Sequence, residues 1–108
     1  MTMNQLKAIV QNYHDELEYT HPFVNSDQFL NNSYSKWACD EILSEIDRSK
    51  ELPFDLEPFE LLNSFCEKMK RFAYMNSKNS IMFVIASETA EYLIEQCWIS
   101  TWKRDGRR

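Results

Sequence analysis

His14, Glu18 and His21 fall at positions i, i+4 and i+7, with Asp15 beside the first of them. On a helix that spacing stacks two imidazoles and a carboxylate along one side, a donor set suited to zinc, iron or manganese. A metal-dependent helical enzyme using these three residues is therefore one reading of the chain. Two features weigh against it. His21 precedes Pro22, and the residue before a proline is biased away from helical geometry, which would swing the ring off the shared side. A site also needs further ligands, and no second motif supplies them. The plainer reading is a solvated, partly acidic helix end.

Other catalytic constellations are missing. A cysteine nucleophile needs a histidine partner, and His14 and His21 are the only histidines. Cys39, Cys66 and Cys97 are odd in number and contain no C-x-x-C pair, which supports neither a zinc site nor a disulfide framework. Cys66 lies among Phe65 and Met69, where burial raises a thiol pKa and makes it inert. There is no G-x-S-x-G elbow, no phosphate loop and no H-E-x-x-H. No catalytic residue and no cofactor is assigned, and the chain reads as a non-enzymatic protein-binding module.

Two surfaces stand out as binding candidates. Asp40, Glu41, Glu45 and Asp47 lie on the expected outer face of the second helix, within a stretch from 40 to 67 that carries nine acids against Arg48 and Lys50. The chain is also polarised. Residues 1–67 hold 13 acids and 4 bases, leaving −9, while residues 68–108 hold 4 acids and 8 bases, leaving +4. Such an acidic front repels phosphate, so direct nucleic-acid binding is not expected. It could instead imitate the phosphate spacing of a nucleic acid and occupy a basic groove on a protein partner, with complementary charge speeding the encounter. The bland counterpart is a solvated face that aids solubility.

In composition alone the chain resembles the small, acidic, glycine-poor helical proteins that phages and mobile elements encode. Some of these inhibit host nucleic-acid enzymes. The resemblance implies an inhibitor of a nucleic-acid-handling host protein.

Trp98 and Trp102 form the second surface. At 100° per residue Trp102 lies within about 20° of the line through Glu88, Glu91 and Glu95, and Trp98 about 40° to its side. Two tryptophans thus project where the helix is otherwise wet. Either the first helix or the N-terminal arm folds over them, or they form an interface, as a symmetric homodimer or a partner site with Lys103 and Arg104 as its rim.

The elements that must position these residues follow from periodicity. One glycine and three prolines leave too little turn chemistry for an all-β domain. Helices are expected at about 3–20, 27–49, 56–75 and 80–103, as one all-α antiparallel four-helix bundle. Thr2 and Gln5 form a capping box for the first helix. Asp55 is expected to cap the third, with Lys68, Lys70 and Arg71 in its last turns. An asparagine in left-handed conformation should end that helix, and Ser80 should cap the fourth. The fourth helix is apolar enough to demand cover on most of its circumference, with Ile81, Tyr92 and Ile99 widening its buried side. The alternative is an α+β domain with a strand near 81–85, because that apolar run is ambiguous by period alone. No secretory signal and no apolar run long enough to cross a bilayer are seen, so a cytoplasmic protein with reduced thiols and no membrane partner is expected.

Overall fold

The computed structural model describes residues 1–18 and 26–104. Four helices are present: α1 (Met3–Glu18), α2 (Ser26–Ser49), α3 (Pro58–Met75) and α4 (Ser80–Arg104). The run Ile81 to Ile85 is helical, and no strand occurs among the described residues. None of the helices is long and apolar enough to cross a membrane.

Local chemistry sets the helix ends. The Thr2 amide donates to Gln5 Oε1 at 2.7 Å and the Gln5 amide to Thr2 Oγ1 at 3.2 Å, the reciprocal box expected from the sequence. The start of α3 differs from expectation. Glu57, not Asp55, is the N-cap, and it makes no side-chain cap hydrogen bond. Pro58 follows at the first helical position, needs no acceptor for a missing N–H, and holds Glu57 extended at φ −72° and ψ 138°. Proline geometry therefore fixes this boundary.

The turn between α3 and α4 also departs from expectation. Asn76 ends α3 extended, at φ −123°, while its amide donates to the Phe72 carbonyl at 2.9 Å. Ser80 does not cap α4 through its side chain, because its hydroxyl donates back to the Ser77 carbonyl at 3.5 Å. The Asn79 carbonyl instead accepts from the Phe83 amide at 3.4 Å. Because α3 continues to Met75, no base lies in its last turn. Lys68 and Lys70 reach across to other helices.

Contacts between neighbours run in opposite senses. On α1 and α2, Lys7 meets Asp47 and His14 meets Asp40. On α3 and α4, Phe59 meets Trp98, Cys66 meets Ser87, and Phe72 meets Phe83. Two antiparallel hairpins result, and they stack with α2 against α4. The interior contains Leu6 and Val10 from α1, Ile42 and Ile46 from α2, Leu62 and Phe65 from α3, and Leu93 from α4, each almost wholly excluded from solvent. Full burial of such a side chain is worth about 1.5–3 kcal/mol. Ala38, Cys39, Ala86, Ala90 and Cys97 are also buried, and their small volumes let the helix backbones approach closely.

With 25 residues α4 is about 37 Å long. The molecule's longest dimension is 39 Å, close to that length. One stripe of α4 is open: Ile81 is 63% exposed, and Val84, Tyr92 and Ile99 are also exposed, so Ile81, Tyr92 and Ile99 do not widen its buried side as expected. The rest of its circumference is buried or half-buried, as its apolar character demands. Leu30 of α2 is exposed as well.

Candidate functional site: the aromatic end of helix four

Relative helix length explains where the tryptophans lie. α4 has 25 residues against 18 in α3, an excess of seven. Aligned at their shared turn, α4 overruns α3 by about 10 Å. Trp98 reaches the first turn of α3 and stacks on Phe59, with ring centroids 4.8 Å apart and planes at 33°. Past that point α3 has no residue to offer. Trp98 is 61% and Trp102 54% exposed. Helix one therefore does not fold over them.

The two rings border a groove of about 580 Å³, lined also by Glu91, Ile94, Glu95, Ile99 and Thr101. Its floor is apolar and one wall carries carboxylates. The Thr101 hydroxyl is enclosed without a hydrogen-bond partner. Glu91 is held by Lys70 at 3.1 Å, and this contact, chiefly the hydrogen bond itself, raises the Lys70 pKa above its ordinary value.

The acidic residues of α2 are arranged differently. At 100° per residue, Asp40 and Asp47 lie about 20° apart on one flank, and Glu41 and Glu45 about 40° apart on the other. The first pair faces α1: Asp40 approaches His14 Nε2 at 3.3 Å, and Asp47 pairs with Lys7 at 3.5 Å and Lys50 at 3.8 Å. On the other flank Glu45 accepts from Lys68 at 3.1 Å, while that ammonium also lies 5.6 Å above the Phe65 ring. Glu41 lines a cleft with Trp37, Phe72 and Phe83. The structure thus separates the four carboxylates onto two flanks, gives Glu45 and Asp47 lysine partners within the chain, and sets Asp40 against His14.

His14 is mostly buried between Asp15, 3.4 Å from Nδ1, and Asp40, 3.3 Å from Nε2. The carboxylates approach different ring nitrogens, so they do not converge on one point. The Glu18 side chain and His21 lie outside the described residues. Among those described, no group of three histidine, cysteine or acidic residues could hold a metal ion.

All three cysteines are free and buried. Burial, reinforced by Asp40, pushes the Cys39 thiol up to about 12, and burial takes Cys97 to about 11. Cys66 is also raised, first by burial, and its thiol donates to the Ser87 carbonyl at 3.6 Å. These thiols are held protonated, which suits packing and not attack.

Sequence reading missed a polar thread through the interior. The Thr89 hydroxyl lies 3.0 Å from that of Ser35 and donates to the Ile85 carbonyl at 2.8 Å. Tyr13 hydrogen-bonds Ser35, stacks on Tyr92 at 4.7 Å, and has its pKa raised by burial and by neighbouring Cys39, Tyr92 and Glu16. Thr89 falls within the apolar stripe of α4, and a hydroxyl at such a position is the sequence signal for a buried partner. No known protein family, curated protein or solved structure matches this chain.

Proposed function

We propose that the protein acts by binding other protein, without catalysis, and that the aromatic end of α4 is its contact surface. The observation that carries this reading is the pair Trp98 and Trp102, both more than half exposed beside an apolar groove. Contiguous exposed aromatic surface is uncommon on monomers, and tryptophan is the residue most enriched at energetic centres of interfaces. Support for a non-catalytic role comes from the protonated, buried thiols and from the carboxylates engaged in ion pairs.

The acid surplus has a secondary part in this reading. Asp40, Glu45 and Asp47 are committed to partners within the chain, so the front of the molecule acts as a diffuse field that draws basic surfaces, more than as a row of phosphate mimics. An inhibitor of a nucleic-acid-handling protein would use that field for encounter.

The test is capture from an extract of the native host on immobilised protein, comparing wild type, Trp98→Ser/Trp102→Ser and Glu41→Lys. A protein retained in stoichiometric amount by wild type and Glu41→Lys, and lost with the tryptophan variant, is the expected result. Retention by the tryptophan variant with loss in Glu41→Lys would move the contact to the acidic flank and overturn the assignment.

A further inference from the structure

We propose that the aromatic end of α4 joins two copies of this chain, as an antiparallel helix pair about a two-fold axis beside Ile99. The inference rests on the reading of this end as a protein-contact surface and names its occupant. Glu91, Glu95, Ile99 and position 103 follow at four-residue intervals, so they share one inclined row, or ridge, along the helix, with a lysine at its last position. Ile99 is exposed, and Trp98 and Trp102 stand beside the ridge. Lys70 engages Glu91 within the chain, whereas Glu95 is exposed and makes no ion pair among the described residues.

Charge along the ridge selects the partner. Glu95 and position 103 are each four residues from Ile99, so a two-fold axis there sets Glu95 of one copy opposite Lys103 of the other, twice over. The ridge is acidic before Ile99 and basic after it, which makes an antiparallel copy its own complement. A parallel copy would place carboxylate against carboxylate, and a uniformly basic foreign helix would meet Lys103 with like charge.

The area is adequate for a weak dimer. A tryptophan buries about 150–250 Å² when enclosed, so the exposed halves of Trp98 and Trp102 together with Ile99 and Tyr92 offer about 400 Å² per copy before any rim is counted. A standard interface takes about 800 Å² per partner, and weak transient ones less. The pairing would leave both acidic flanks of α2 turned outward.

Sedimentation velocity on the full chain, from about 5 to about 500 µM, tests the proposal. Wild type should show a reversible monomer–dimer equilibrium, and acrylamide quenching of tryptophan should fall as the dimer forms. Glu95→Lys alone and Lys103→Glu alone should each weaken association about tenfold, while the double variant restores it to within about threefold. Circular dichroism confirms that each variant keeps its helices, and Trp102→Phe provides a milder change should Trp98→Ser/Trp102→Ser fail to fold. A wild type monomeric throughout, with tryptophans equally quenchable at every concentration, would overturn the second copy as occupant while leaving the surface open to another protein. A dimer unchanged in the tryptophan variants would overturn both readings, because association would then use a different surface. A tryptophan-dependent dimer that the double reversal fails to rescue would overturn the antiparallel arrangement.

Discussion

Ser35 of α2 and Thr89 of α4 share a hydrogen bond of 3.0 Å in the protein interior, and Tyr13 of α1 joins it through Ser35. One polar thread thereby ties three helices at a single level, and it fixes their rotation about their own axes more closely than aliphatic contact would. Thr89→Val keeps the shape but leaves Ser35 short of a partner, and should cost about 1–3 kcal/mol in urea denaturation. Ser35→Ala/Thr89→Val should cost less than the two single changes added, with a coupling of about 0.5–3 kcal/mol; strict additivity would mean the bond does not form.

Thiol titration gives a prediction for alkaline pH. Cys39 and Cys97 titrate near 12 and 11 in the folded protein, against about 8.5 for a free cysteine. Each is a group whose folded pKa is raised. Its contribution is complete below the unfolded value and is lost as pH rises through the folded one. Between about pH 8.5 and 11 stability should fall by up to about 1.4 kcal/mol per pH unit for each of these thiols. Native protein at pH 8 should react only slowly with a thiol-specific disulfide reagent, at the rate of its unfolding. Rapid stoichiometric labelling of either residue in the native state would contradict this.

The ion pairs on α2 separate a stability role from a binding role. Glu45→Lys sets two cations together beside Phe65, where Lys68 now lies 3.1 Å from the carboxylate, and should cost about 1 kcal/mol. Asp47→Lys meets Lys7 and Lys50 in the same way. Glu41 makes no ion pair among the described residues, so Glu41→Lys should leave the melting temperature nearly unchanged. A large loss of stability in Glu41→Lys, with none in Glu45→Lys, would reverse the assignment.

Small residues on α4 set how closely the hairpins approach. Ala90 is fully buried, and its replacement by leucine adds volume the interior has no room for. Ala90→Leu should lower stability by about 1–3 kcal/mol, whereas Glu88→Leu, on the open side of the same helix, should not. Equal melting temperatures for the two variants would show that the packing is looser than the burial implies.

Much of the architecture was legible in residue spacing. Thr2 and Gln5 announced the first cap, and Leu93 and Cys97 marked the buried stripe of α4, because both signals depend on neighbours within one turn. The miscast caps at Asp55 and Ser80 share a cause. Several polar residues stood near each boundary, and only Pro58 and the Ser77 carbonyl decided between them. The division of the four carboxylates into two flanks was within reach, since Asp40 with Asp47 and Glu41 with Glu45 separate under simple helical arithmetic. Their cationic partners were not, because Lys7 and Lys68 arrive from other helices. The outward direction of Trp98 and Trp102 was readable from their place on the acidic side of the helical wheel, whereas the end of α3 short of Trp102 is a relation between two elements that no pattern within either one records.

The four-residue connection from Asn76 to Asn79 bears on the order of assembly. Closing so short a segment forfeits little chain entropy, and the contacts it brings, such as Phe72 with Phe83, are local in sequence. The α3–α4 hairpin is therefore expected to form the nucleus, with α1 docking after the rate-limiting barrier. Stopped-flow kinetics should show Leu62→Ala mainly slowing refolding and Leu6→Ala mainly hastening unfolding. In a newly made chain this order would delay the aromatic end of α4, the last stretch of the hairpin to leave the ribosome, until α1 and α2 were already waiting unpacked.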